Sequence, residues 1–181
     1  MLQLLDRLVD RRLVDFGEMA GYLLKTINLL MLRLLQYAPR EATVCATLSC
    51  LCEKAKRPSE RQLADLLLKC LTKLTKTLTP VAPTISLHLL LQRLHELRSS
   101  TAPAGGAPVS LTKEALEAAK YAEALTVATD DVLRILVDCR GPEVLAAMPP
   151  GSDATLGPKV SELLGSHSDA PPAAVTAAAA A

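Results

Sequence analysis

Hydrophobic positions recur through the first hundred residues at spacings of three and four, the period of an α-helix. No segment alternates with period two, so the pattern predicts an all-α fold rather than anything with a sheet. A first helix is predicted from Leu2 to Val14, with Leu5, Val9 and Leu13 as its apolar side, and Gly17 breaks it. A second runs from Glu18 to Tyr37. It is apolar nearly all round, with Glu18, Lys25, Asn28 and Gln36 on one narrow stripe, which predicts cover by neighbours on several sides. Pro39 ends it. A third helix covers Glu41 to Ala55, with Val44, Leu48, Leu51 and Cys52 as its stripe. Arg57-Pro58-Ser59 reads as a loop, with Ser59 placed to cap a fourth helix from Glu60 to Leu78. Pro80 and Pro83 separate that helix from a fifth, Ser86 to Arg98, lined by Leu87, Leu90, Leu91, Leu94 and Leu97.

The fourth helix contains "LLLKCLTKLTKTL", Leu66 to Leu78. At about 100° per residue, Leu67, Leu71, Leu74 and Leu78 form one stripe and Lys69, Lys73 and Lys76 another on the opposite side. The leucines would pack into a stack, each contributing about 1.5–3 kcal/mol when fully buried. The lysines face water, or an acidic partner lying along that edge. A membrane-surface helix would carry bulky interfacial aromatics, and this one has none. A calmodulin-type target helix would have to leave its stack. A second basic cluster, Lys54, Lys56, Arg57 and Arg61, falls at the turn between the third and fourth helices. Charge runs at turns are ordinary, yet turns along one edge of a helical stack are also a common binding surface, and four positive charges there can steer an acidic partner.

Beyond the fifth helix, "SSTAPAGGAPVS" (99–110) reads as a linker by composition. A sixth helix begins near Leu111 and runs to Cys139, with a break expected near Thr129 where Asp130-Asp131 look like a helix start. Val144–Met148 and Val160–Leu164 are short apolar pieces in Pro/Gly/Ser surroundings, and "APPAAVTAAAAA" is low in complexity. The expected organisation is a helical domain over 1–98, the linker 99–110, a further helical segment over 111–148 that packs on the first or stands apart, and a tail, 149–181, mostly disordered. Helix starts near 2, 41 and 86, and near 18 and 60, give a period of about 40–47 residues, that of HEAT or armadillo repeats. The fold class predicted is a HEAT-like all-α stack of about six helices with a disordered C-terminal tail.

Composition narrows the function. With 181 residues the chain can bury one real core. Aromatics are only 2%, without Trp, which argues against stacking platforms for single-stranded nucleic acid. The net charge of +1 is uneven: residues 1–99 carry 15 Lys and Arg against 9 Asp and Glu, and residues 100–181 carry 5 against 10. The front half can meet an acidic surface, although its charge is modest for a nucleic-acid binder. Five cysteines, an odd number placed mostly on apolar helix faces, read as reduced structural thiols of an intracellular protein. Asp6 and Asp10 interrupt any secretory pattern, and no uncharged apolar run approaches the ~18–20 residues that span a bilayer.

Catalytic chemistry is missing. Cys50 and Cys52 stand at i, i+2, which do not face the same way on a helix, and a second pair is lacking for a zinc site. His88 and His95 share a face at i, i+7 without a third ligand. No GxxxxGK[ST], GxGxxG, GxSxG or HExxH occurs, and "AGGA" (104–107) lacks the strand-then-helix context of a phosphate loop. The expectation is a non-enzymatic protein without cofactor or metal.

The order and spacing of several leucine-rich segments resemble a known family. "TINLLMLRLLQYA" (26–38), "LLLKCL" (66–71), "KLTK" (73–76) and, after a loop, "LHLLLQRLH" (87–95) with Leu87, Leu90, Leu91, Gln92 and His95, are similar to the C-terminal region of the TOG-domain microtubule polymerases, the plant-type microtubule-organisation member nearest. The resemblance covers about 16–98, weakens over 111–148 and is absent from the tail. It implies a HEAT-like, TOG-related module of a very long cytoplasmic microtubule-associated protein, of which this chain would be a fragment. The function implied is microtubule growth and spindle or cortical microtubule organisation at the cytoskeleton. Its partners would be tubulin or a microtubule-associated adaptor, with no nucleic acid and no membrane. The docking residues expected are Lys54, Lys56, Arg57 and Arg61, helped by Lys69, Lys73 and Lys76. Tubulin-binding members usually present a tryptophan or another large residue in the first turn, where this chain offers only Phe16. The alternative is a generic HEAT-type interaction scaffold unrelated to microtubules.

Overall fold

The computed structural model describes residues 2–55, 57–101 and 113–168. These residues are all-helical: eight α-helices joined by turns and three short 3-10 segments, with no strand among the described residues. The helices are α1 (Leu2–Leu8), α2 (Glu18–Tyr37), α3 (Arg40–Lys54), α4 (Arg61–Thr75), α5 (Leu87–Thr101), α6 (Lys113–Arg140), α7 (Glu143–Ala146) and α8 (Gly157–Ser168).

The core is built on leucine. Leu48 and Leu51 of α3, Leu67, Leu71 and Leu74 of α4, and Leu90, Leu91, Leu94 and Leu97 of α5 are almost wholly removed from water. Two helical hairpins, α3/α4 and α5/α6, lie against each other so that α3 meets α5 and α4 meets α6. Glu41 of α3 reaches across this stack, its Oε1 accepting the Ser86 backbone N–H at the start of α5 (3.2 Å). Helix α6 lays Tyr121, Leu125, Ala128, Val132 and Leu136 onto the stack along one stripe. It ends at Gly141, whose φ of +54° is the left-handed conformation that closes helices, with its N–H donating to the Val137 carbonyl (2.8 Å).

Several expectations need correction. The first helix stops at Leu8 rather than Val14, and Arg11–Phe16 forms a 3-10 segment. Asp10 is the cause: its Oδ1 accepts the Arg12 backbone N–H (3.1 Å), which diverts the chain from helical bonding. The Arg12 side chain holds the same carboxyl and lowers its pKa to about 2. Ser59 does not cap α4, since Glu60 occupies the cap position after a 3-10 turn. Residues 99–101 of the expected linker continue α5; the rest of that linker lies outside the described residues, as does the chain from 169 onward.

Helix α6 does not break near Thr129, and Asp130-Asp131 is not a helix start. The Thr129 hydroxyl donates to the Thr126 carbonyl (2.9 Å) and accepts from Arg98 Nε and Nη2 (3.1 and 3.0 Å), while Asp130 pairs with the same guanidinium. A threonine bonded back to its own helix satisfies its hydroxyl without interrupting the backbone ladder. Arg98 therefore fastens α5 to the middle of α6.

The region from 149 was expected to be mostly disordered, yet it folds through residue 168. Leu156, Val160 and Leu163 are buried, and α8 packs on α6. Composition hid this, because the ordering contacts come from elsewhere. His95 Nδ1 bonds Thr155 Oγ1 (2.7 Å), and Arg98 donates to the Thr155 carbonyl (3.4 Å). Ser152, fully buried, donates its hydroxyl to the Pro149 carbonyl (2.7 Å).

The largest difference concerns α2. Its neighbours cover Met31 and Leu35, while Met19, Tyr22, Leu24, Leu29, Leu30 and Tyr37 stand exposed, Tyr22 at 68% and Leu29 at 58%. Length explains it. At 1.5 Å per residue, the seven-residue α1 reaches about 10 Å along a 20-residue helix of about 30 Å. Among the described residues no helix is long and apolar enough to cross a membrane.

Two stability measurements follow. Leu71→Ala or Leu94→Ala should cost about 2–5 kcal/mol in denaturant unfolding, whereas Leu30→Ala should stay within about 0.5 kcal/mol. Gly141→Ala should cost about 1–2 kcal/mol, all of it from the backbone, because no atom outside the neighbouring residues lies within 4 Å of an added Cβ.

Candidate functional site

The two basic clusters singled out in the sequence have different fates. At the α3–α4 turn, Lys54 Nζ pairs with Glu60 Oε2 (3.0 Å) and Arg57 Nη1 with Glu60 Oε1 (3.3 Å). Both oxygens of one carboxylate are taken, and Lys54, with Arg57 beside it, holds Glu60 below the ordinary range for a glutamate. Arg61 turns the other way. Its guanidinium lies 4.2 Å from the centroid of the Tyr121 ring and donates to the Glu117 carbonyl, so it fastens α6 onto α4. Lys56 lies outside the described residues. Among the described members of this cluster, Arg57 is the one that is mostly solvent-facing, at 69% of its side chain.

Lys69 and Lys73 on α4 and Lys76 at its C-cap are exposed and pair with no acid among the described residues. They do not face open water alone. They border a groove between α1, α2 and α4 of about 350 Å³, whose apolar lining is Leu5, Leu8, Met31, Leu32, Leu35 and Leu66. Cys70, Thr72 and Asn28 complete it, and no carboxylate lines it. A second depression of about 310 Å³ shares Leu32, Leu35 and Lys73 and continues to Arg40 at the C-terminal end of α2. Arg40 is already engaged, its guanidinium donating to the Leu35 and Gln36 carbonyls that α2 leaves unpaired.

The sequence reading expected covered apolar faces on α1 and α2, and Leu5 and Leu35 are buried, but it did not find the groove that they line with the half-buried Leu8 and Leu32. The one available signal was that α2 is more apolar than a helix with a short partner can bury. The histidines do not form a site: His95 bonds Thr155 and His88 is exposed. Among the described residues no group of three or more His, Cys, Asp or Glu is placed to hold a metal. The five thiols are free, and burial pushes the pKa of Cys45, Cys50 and Cys70 upward, leaving them weak nucleophiles. No family model, curated protein or solved structure matches the chain.

Tyr121 offers a direct check on the Arg61 contact. Burial, with Asp65 adding to it, pushes its phenol from the usual 10 up to about 12, against the opposing pull of Arg61. Above pH 10 the unfolded chain releases this proton while the folded chain keeps it, so folding stability falls between pH 10 and 12 and is unaffected below. Tyr121→Phe keeps the ring under Arg61 and should flatten that part of the pH profile relative to the parent in parallel denaturant melts. Arg61→Ala should lower stability by about 1–2 kcal/mol, a desolvated cation–π contact being worth about that much.

Proposed function

We propose that this chain is a non-enzymatic helical-repeat docking module of the TOG-related kind, which recognises an acidic protein surface in microtubule organisation. The observation that carries the reading is the row of unpaired lysines, Lys69, Lys73 and Lys76, beside an apolar groove. Two further facts support it. The α3/α4 and α5/α6 hairpins stack like consecutive repeat units, and the leucine-rich segments over 16–98 resemble the C-terminal region of the microtubule polymerases. The partner class this implies is tubulin or a microtubule-associated adaptor, at the cytoskeleton. The engagement of Lys54 and Arg61 within the fold and the lack of tryptophan favour the adaptor.

Size-exclusion co-elution with soluble αβ-tubulin at ~50 and ~200 mM salt tests the tubulin branch. Salt-sensitive co-elution, lost in Lys69/Lys73/Lys76→Glu and weakened in Arg57→Glu, would make tubulin the partner. Absence of co-elution at both salts, with a microtubule-associated coiled coil captured instead, would make it the adaptor. Capture of neither would leave a repeat scaffold unrelated to microtubules and overturn the reading.

A further inference from the structure

We infer that the groove between α1, α2 and α4 is a receptor for a single amphipathic, acidic α-helix of a partner protein. This rests on the docking reading above and names the element that docks.

The chemistry of the groove selects a helix. Its walls are helices whose backbone groups are bonded within themselves, so an extended peptide would find no sheet edge to pair with and would bury unpaired amides. A helix arrives with its own backbone satisfied and needs only an apolar stripe at i, i+3/i+4 and i+7 to meet the half-buried Leu8, Leu32 and Leu66, beneath which Leu5, Met31 and Leu35 are buried. The two depressions share Leu32, Leu35 and Lys73, so the floor is continuous along α2 from Asn28 to Gln36. That is about 12 Å, two turns of a docked helix.

The charge of the groove selects an acidic helix. Lys69 and Lys73 of α4 and Lys76, which caps its C-terminal end in helical conformation, recur at i, i+4 and i+7, so they climb about 6 and then 10 Å along that wall. Acidic residues at the same helical period on a partner would meet them one by one. Among the described residues no carboxylate lines the groove, and Asp131, which shares a neighbouring depression with Lys76, is paired with Arg134. This differs from the α3–α4 turn, where Glu60 already answers two cations. In the free protein the lysine stems can lie over the apolar floor with their ammonium groups in water, and a docking helix displaces only those stems.

The test uses the full chain and a fluorescein-labelled designed helical peptide with leucines on one face flanked by glutamates, read by fluorescence anisotropy. A second peptide replaces those glutamates by lysines. The acidic peptide should bind, weaken with salt, and bind at least about tenfold less tightly to Lys69/Lys73/Lys76→Glu. Leu32→Lys should lose binding, and Leu29→Lys, on the open side of α2, should not. Circular dichroism reports whether each variant keeps its helicity, and Lys73→Glu alone serves if the triple variant unfolds. Equal binding of both peptides, or binding indifferent to the Lys73 and Leu32 changes, would overturn the inference. So would capture of the chain by phosphatidylserine vesicles with the same lysine dependence, which would make the occupant a lipid surface. Concentration-dependent dimerisation abolished by Leu32→Lys would overturn it in favour of a second copy. Acidic-peptide binding without tubulin or adaptor co-elution would remove the microtubule reading and keep the groove. Co-elution that survives both groove variants would do the reverse.

Discussion

The leucine contact among α3, α4 and α5 is the constraint on which the rest depends. Leu48, Leu51, Leu67, Leu71, Leu90, Leu91 and Leu94 are at or near zero exposure, so these helices have almost no freedom to rotate about their axes without opening a void. Once α4 commits its leucines to this contact, helical geometry places Lys69, Lys73 and Lys76 on another part of its surface. That surface faces α1 and α2. The lysine row borders the groove because of a packing decision made on the opposite side of the same helix.

Positive charge in this chain sits in two settings, and proximity to other elements separates them. Arg61, Arg98 and Arg40 reach other segments: the Tyr121 ring and Glu117 carbonyl, Thr129 with Asp130, and the last carbonyls of α2. All three are arginines, whose flat guanidinium can stack and donate several bonds at once. The groove lysines find no such partners among the described residues. An ammonium on a flexible stem suits a surface that must stay solvated until another charge arrives.

Helix α2 carries a hydrophobic surplus. A helix apolar nearly all round normally signals deep burial, but here only Met31 and Leu35 are buried while large side chains on other faces remain in water. The shortfall begins at Asp10, where a carboxylate bonded to the Arg12 backbone ends α1 after seven residues. The 3-10 segment Arg11–Phe16 that follows also packs on α2, and the two short elements together leave its other faces open.

The sequence by itself determined the all-helical class, most helix positions, and the core stripes Leu67/Leu71/Leu74 and Leu90/Leu91/Leu94. These depend on period and on turn-forming residues, which are local properties of the chain. It also put the three lysines on a separate face of α4. Only the tertiary structure decided what that face borders, that Lys54 and Arg61 are engaged within the fold, that α6 runs unbroken through Thr129, and that α8 is ordered. Each of these turns on a partner distant in sequence: α2 for Lys69, Tyr121 for Arg61, Arg98 for Thr129, and α6 for Val160. Periodicity records which side of an element is apolar, but not which neighbour covers it or whether that neighbour is long enough to do so.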